Sequence, residues 1–153
     1  MNILMKDKKD ILMKDTFEKI TVLVFGTFDL LHPGHEWLLQ EAKELGDELV
    51  VVVARDETVV QVKGRKPHHN EQERIDALRA VPVVDRVMLG HVGDKYAIIE
   101  EIKPDVICLG YDQTSFVDSL AQELASRGLN PKIVRFTQGF ETHKHKTSRL
   151  RNL

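Results

Sequence analysis

Five short apolar runs recur along the chain, and all of them are rich in β-branched residues. They are Ile20–Phe25, Glu48–Ala54, Val83–Leu89, Asp105–Leu109 and Pro131–Phe136. Two of the runs are almost continuously apolar, which is typical of strands that are buried on both faces of a sheet. The pattern therefore predicts five β-strands.

Segments with a helical spacing of apolar residues lie between these runs. The first carries an apolar stripe from Trp37 to Leu45 and ends before Gly46, a residue type that terminates helices well. The second opens with Asn70 and has Glu73 three residues later, which is the spacing of a capping box. Both segments are predicted helices.

Two further helices follow the same pattern. One is expected at roughly Asp94–Ile102, closed by Pro104, and the other begins near Ser115, has Asp118 in the capping position and stops at Gly128. Strands and helices thus alternate along the chain with short connections. This order predicts an α/β fold with a doubly wound, five-stranded parallel sheet of Rossmann-like type.

Composition narrows the class of protein without identifying its activity. The 153 residues suffice for one domain, which we place at residues 20–153, with residues 1–19 as an N-terminal extension. The 22 basic and 24 acidic side chains leave a net charge of −2, which argues against a coat for nucleic acid or anionic membrane. The single cysteine, Cys108, favours a reducing compartment, so we expect a cytoplasmic protein without a membrane partner.

Candidate chemistry lies in the loop after the first predicted strand. Ligands of open parallel sheets bind at the carboxyl ends of the strands, and here Gly26 allows a sharp exit from the strand. Pro33 suits the first turn of the following helix, and His32 and His35 are spaced to point to the same side of the helix start. Two imidazoles beside the positive end of a helix dipole suit a polyphosphate site. The spacing alone leaves two alternatives open: a metal-binding pair, although the usual i, i+4 spacing and the Glu of zincins are missing, and a histidine that only caps the helix.

The ten-residue string GTFDLLHPGH resembles the HxGH signature of the cytidylyltransferase-like nucleotidyltransferases. The similarity continues through GDELVVVVARDETV, KGRKP, Glu73-Arg74, GYDQT and KTS, so that it covers nearly all of residues 21–150. Within that family the chain is most similar to the archaeal-type FAD synthases, which are FMN adenylyltransferases. The glycerol-3-phosphate cytidylyltransferases are next.

The resemblance implies roles for the first loop. His32 and His35 would contact the nucleotide phosphates and stabilise the transition state at the α-phosphorus. Gly26, Thr27 and Phe28 would line the nucleotide site. Asp29, in the same loop, would orient it rather than act as a base.

Basic residues after the second predicted strand are the next candidates. The resemblance implies that Lys63 and Lys66 are catalytic and bind the acceptor phosphate and the leaving pyrophosphate, with Arg55 and Arg74 as further substrate-phosphate ligands. A reaction between two anions needs such cations on both sides. The alternative is a solvated basic loop, with Arg74 in a surface ion pair.

The last candidates are nucleotide-binding residues near the chain's carboxyl end. Gly110 and Asp112 would approach the base and ribose, although an Asp-capped turn would look the same. Thr147 and Ser148 match the terminal Thr-Ser of the family, whose hydroxyl groups cap phosphates.

The resemblance implies transfer of AMP from ATP to FMN, giving FAD and pyrophosphate. A divalent cation, Mg²⁺ above all, would arrive with the nucleotide rather than in a protein metal site, and a homodimer is expected. Two alternatives stay open. One is a CTP-dependent cytidylyltransferase that acts on glycerol 3-phosphate or a similar small phosphorylated alcohol, and the other is a nucleotide- or flavin-binding module without catalysis.

Overall fold

The structure, a computed structural model, describes residues 19–110 and 119–136. The strands are β1 (Thr21–Gly26), β2 (Glu48–Val53), β3 (Arg86–Leu89), β4 (Val106–Leu109) and β5 (Lys132–Arg135). The helices are α1 (Pro33–Lys43), α2 (Asp56–Lys63), α3 (Glu71–Arg79), α4 (Ala97–Ile102) and α5 (Leu120–Ser126).

The strands form one parallel sheet in the order β3-β2-β1-β4-β5. From β1 the chain steps outward to β2 and β3, and then returns to the other side of β1 for β4 and β5. Because parallel crossovers are right-handed, the two directions of travel place their helices on opposite faces of the sheet. The predicted α/β doubly wound fold is confirmed.

Two apolar clusters hold the layers together. Alternate residues of a strand face opposite sides, so Val22 and Val24 join the cluster under α1 and α3, while Leu23 joins the cluster under α4 and α5. All three are fully buried. β1 is therefore covered on both faces, as its nearly continuous apolar sequence predicted.

Several predicted helix ends are confirmed. Asn70 accepts a hydrogen bond from the Glu73 backbone N–H at 2.8 Å, and the Glu73 carboxylate accepts one from the Asn70 N–H at 2.9 Å, which completes the capping box. Pro33 occupies the first turn of α1. Gly128 adopts a φ of +79°, a left-handed conformation that suits the residue after a helix.

The structure corrects two sequence expectations. Residues 56–63 form the helix α2, where the sequence suggested only a basic loop, and the first-turn acids Asp56 and Glu57 together with Lys63 in the last turn match the helix dipole. β3 starts at Arg86 rather than at Val83, because the chain after α3 continues in tight turns. Ser115 and Asp118, the predicted start of the last helix, lie outside the described residues.

Cys108 lies within β4 and is fully buried. Burial in an apolar environment disfavours the thiolate and raises the pKa of the Cys108 thiol to about 12. This side chain therefore packs as a small apolar residue. No helix in the described part of the chain combines the length and the apolar character that crossing a bilayer requires.

Candidate active site

The loop after β1 makes an unusually tight exit from the sheet. Phe28 has a φ of +52°, a left-handed conformation that is costly for a residue with a side chain. Its ring folds back so closely that a Cβ added to Gly26 would lie 2.8 Å from it. The ring is buried and also meets the His35 imidazole edge-on, with 5.2 Å between the centroids. Phe28 thus holds the start of α1 against the end of β1.

His32 is the N-cap of α1. Its Nδ1 accepts a hydrogen bond from the Gly34 backbone N–H at 3.0 Å, so the neutral ring carries its proton on Nε2. The imidazoles of His32 and His35 stack with 3.8 Å between their centroids and 23° between their planes. The structure therefore brings the two predicted catalytic histidines together at the positive end of a helix.

Asp29 fastens the histidine loop to the segment before α3. Its carboxylate accepts hydrogen bonds from the backbone N–H groups of His68 and His69 at 2.7 and 2.8 Å. Burial alone would raise the pKa of Asp29, but these two bonds and the His68 side chain outweigh it and lower the pKa from 3.8 to about 2. The geometry suits the orienting role that the resemblance implied for Asp29.

Arg74 lies deeper than a substrate ligand would. Its side chain is fully buried, and its guanidinium donates to the backbone carbonyls of Thr27, Ala54 and His69 and to the Asp56 carboxylate. These acceptors account for both terminal nitrogens and for Nε. Because protein acceptors hold the guanidinium, the structure favours a structural role for Arg74 over the substrate-phosphate role that the resemblance implied.

A cavity of about 210 Å³ opens at the carboxyl ends of β1, β2 and β3, between α2 and α4. Most of its wall is apolar, and cationic groups also line it. The lining residues are Phe25, Gly26, Thr27, Val52, Ala54, Arg55, Thr58, Val59, Val62, Lys63, Gly90, His91, Lys95 and Ile98. Val62 lines it although 62% of that residue is exposed to solvent.

The predicted basic residues occupy different places around this cavity. Arg55 lines it, and its Nε donates to the Gly90 carbonyl oxygen at 2.6 Å, which ties the ends of β2 and β3 together. Lys63, the last residue of α2, also lines it. Lys66 instead borders a groove between α2 and the segment that leads into α3, next to Glu57. The structure thus brings Arg55 and Lys63 together but separates Lys66 from them.

The remaining predicted nucleotide-binding residues follow the last strands. Gly110 comes directly after β4, the strand that pairs with β1, and is buried. Asp112, Thr147 and Ser148 lie outside the described residues. The roles that the resemblance implied for these three residues stay predictions.

Three polar side chains of the cavity were not among the sequence candidates. Thr58 comes from the unpredicted helix α2, and His91 and Lys95 come from the connection between β3 and α4. The position of the connection between β3 and α4 could have identified His91 and Lys95, since loops at the carboxyl ends of neighbouring parallel strands share one edge of the sheet. The acid-to-base gradient of residues 56–63, followed by Gly64, was the signal for α2.

Within residues 19–110 and 119–136, no group of three or more His, Cys, Asp and Glu side chains is arranged to hold a metal ion. The histidines near the site are engaged in other ways. The His69 Nδ1 lies 2.8 Å from the Asp29 carbonyl oxygen, and the His91 Nε2 lies 2.9 Å from a Glu101 carboxylate oxygen. These rings hold loops in place.

Comparison with known proteins defines the class. Residues 23–153 match the family model described as cytidylyltransferase-like, and the chain belongs to this family. The resemblance seen in the HxGH string is therefore confirmed.

The relatives include a narrower group. The FAD synthase of Pyrococcus horikoshii is 44% identical over 133 residues, which are 86% of this chain and 90% of that protein. The FAD synthase of Aciduliprofundum boonei is 47% identical over 116 residues, 76% of this chain and 77% of that protein. A solved structure described as a lipopolysaccharide core biosynthesis protein from Thermoplasma volcanium is 45% identical, with a TM-score of 0.75, and the match covers 79% of this chain and 98% of that one.

The Asp29 contacts predict a defined effect of pH on stability. Because the pKa of Asp29 is lowered on folding, its contribution is complete above the ordinary value of 3.8 and is lost as the pH falls through about 2. A shift of this size corresponds to about 2 kcal/mol. We expect Asp29→Asn to lower the free energy of unfolding by about that amount at pH 7.

Urea denaturation of both proteins at several pH values measures the difference, which should narrow as the pH falls from 4 towards 2. Asp76→Asn, at an exposed position on α3, is the matched control and should leave the free energy of unfolding within about 0.5 kcal/mol of wild type. A difference that stays constant with pH would contradict the assignment.

Proposed function

We propose that this chain is an FMN adenylyltransferase, which transfers AMP from ATP to FMN and releases pyrophosphate. The observation that carries the proposal is that the stacked histidines and the apolar cavity both adjoin the stretch after β1: Phe28 contacts His35, and Gly26 and Thr27 line the cavity. Two substrates, one held at the histidines and one in the cavity, would meet at this stretch. The FAD synthases among the relatives support the choice of substrates.

The nucleotide belongs on the histidine side. β1 and β4 are neighbours in the sheet, but their connections leave in opposite directions, and open α/β sheets bind ligands in the crevice at such a point. The N-terminus of α1 with His32 and His35 borders this crevice. The helix dipole and the imidazole N–H groups favour a triphosphate there.

The acceptor belongs in the cavity. A flavin is a flat and largely apolar ring, and valine and phenylalanine walls would remove it from water while its phosphate stays near Arg55 and Lys63 at the rim. A bound ring would also cover Val62. Glycerol 3-phosphate suits this wall less well, because its hydroxyl groups would lose hydrogen bonds with water.

The reaction then needs little beyond positioning and charge stabilisation. An oxygen of the FMN phosphate attacks the α-phosphorus of ATP in line with the leaving group. The new phosphorus–oxygen bond forms as the bond to the bridging oxygen breaks, and that electron pair leaves with pyrophosphate. His32 and His35 stabilise the charge that builds on the α-phosphate oxygens, while Lys63 and Arg55 neutralise the attacking phosphate.

A divalent cation, best Mg²⁺, completes the proposal as a partner of the nucleotide. Mg²⁺ prefers phosphate oxygens and water to an all-protein cage. It would offset charge on the triphosphate. The homodimeric state implied by the resemblance and the cytoplasmic location expected from the single cysteine belong to the same proposal.

A chromatographic assay of two nucleotides with two acceptors tests the proposal. Purified protein with Mg²⁺ receives ATP or CTP, each with FMN or glycerol 3-phosphate. We expect FAD and pyrophosphate from ATP with FMN at the highest rate. CDP-glycerol without FAD would replace the proposal with the cytidylyltransferase alternative, and bound flavin without pyrophosphate release would favour the non-catalytic module.

The histidine pair predicts a loss of rate without a loss of fold. Removing one donor that stabilises a transition state costs about 10²–10³ in kcat. We expect the kcat for FAD formation to fall by that factor in His35→Ala. Gln40→Ala, at an exposed position on the same helix, is the control and should keep the wild-type rate. Equal rates for His35→Ala and the control would contradict the mechanism.

Lys63 and Lys66 are expected to differ in their effect on the KM for FMN. Loss of one charge-assisted hydrogen bond costs about 1.5–3 kcal/mol, or a factor of about 10–100 in affinity. We expect Lys63→Met to raise the KM for FMN by about this factor, because Lys63 lines the cavity, and Lys66→Met to change it by less than about threefold. Steady-state kinetics with varied FMN measures both values. Equal effects would mean that Lys66 also reaches the acceptor phosphate.

A further inference from the structure

Arg74 is the one charged side chain that is buried within the described residues, with 1% of the residue exposed. Arginine is rarely buried unless every donor finds an acceptor, because an unpaired charge inside a protein is very unfavourable. The residues around Arg74 therefore have to supply acceptors for its N–H groups.

The acceptors come from three separate segments that meet at the carboxyl edge of the sheet. Nη1 donates to the carbonyl oxygens of Thr27, after β1, at 2.9 Å and of Ala54, after β2, at 2.8 Å. Nη2 donates to Oδ1 of Asp56 at 2.7 Å, and Nε donates to the carbonyl oxygen of His69 at 3.0 Å. One planar group thus fixes the relative positions of three chain segments.

Neighbouring contacts close this arrangement into a network. His69 is also held by Asp29, which accepts its backbone N–H at 2.8 Å. The Asp56 backbone N–H donates to the Glu71 carboxylate at 2.8 Å, so the starts of α2 and α3 are tied directly. Arg74 lies at the centre, between the loop that carries the histidines and the helix that carries Lys63.

The acceptors also relate this network to the reaction site. Thr27 and Ala54 both line the acceptor cavity, and Arg74 binds their carbonyl oxygens. The Asp56 carboxylate balances the guanidinium charge. Arg74 therefore acts on the site through the backbone rather than through its own charge.

We propose that Arg74 is a positioning residue, which sets the distance between the His32–His35 pair and the Arg55–Lys63 rim of the cavity; the kinetic part of this inference rests on the proposed function. Lysine cannot replace it, because an ammonium group is a point charge without the planar fork that reaches acceptors on several sides. A small misplacement of reacting groups costs about 10² in rate.

Arg74→Lys tests the inference, with Arg79→Lys as the matched control at an exposed position on the same helix. We expect kcat for FAD formation to fall about 10²-fold in Arg74→Lys, with the KM for ATP within about threefold of wild type. The assay is run well below the Tm of each variant, so that all of the protein is folded. Wild-type kcat with only a lower Tm would mean a purely structural role and would overturn the inference.

A second variant covers the case in which Arg74→Lys does not fold. Asp56→Ala removes one of the four acceptors and leaves the arginine in place. We expect it to fold and to lower kcat at least about fivefold without a comparable rise in the KM for ATP. Unchanged kcat in folded Asp56→Ala would equally overturn the inference.

The imidazole proton resonances of His32 and His35 provide a readout that needs no turnover. We expect them to shift in Arg74→Lys, or in Asp56→Ala if that is the variant that folds, and to stay in place in Arg79→Lys. If wild-type protein makes no FAD, the proposed function fails while these resonances still decide the role of Arg74. Unshifted resonances would count against Arg74 alone.

Discussion

The central position of β1 is the constraint on which the site depends. β1 pairs along its whole length with β2 on one side and through residues 22–24 with β4 on the other, and helices cover both of its faces. The chain can therefore leave it only at the carboxyl edge, in the middle of the sheet. Whatever follows Gly26 must turn at once, and it lies between the crevice beside β4 and the cavity beside β2 and β3.

A loop in this place leaves backbone polar groups that no strand can pair. Backbone groups outside strands and helices still need partners, and here side chains supply them: Arg74 binds the carbonyl oxygen of Thr27 in this loop and those of two neighbouring segments, and Asp29 in the loop accepts two N–H groups of the segment before α3. The same contacts keep the histidine loop in one conformation. One set of hydrogen bonds thus both pairs backbone groups and organises the site. This explains why Asp29 and Arg74, two charged residues that need not touch substrate, lie so near to the site.

Local patterns in the sequence were sufficient for much of the fold. The apolar runs predicted the five strands, the Asn70–Glu73 spacing predicted a capping box, and the HxGH string predicted a histidine pair at a helix start. Each of these signals is contained within a few residues. The sequence signal for the helix α2 is weaker, because the helix is short and only Val59 is buried on it. Its sequence is therefore hard to tell from the start of the solvated basic loop that continues to Lys66.

The position of Arg74 could not be predicted in this way. Its partners Thr27 and Ala54 lie 47 and 20 residues away along the chain, and only the sheet order brings them together with Arg74. An arginine early in a helix is usually exposed. The cavity has the same origin, since its wall combines residues from several separate segments, and no single segment shows its apolar character.

The contact between Gly26 and Phe28 has a consequence for how this site can evolve. A side chain at position 26 would meet the Phe28 ring at 2.8 Å, so either the ring has to shift or a smaller residue at position 28 has to make room for it. A smaller residue at position 28, however, would leave a void against His35 while Gly26 stays in place. Each single change is unfavourable, whereas the double change relieves both problems. Substitutions at the two positions are therefore coupled, and we expect them to occur together.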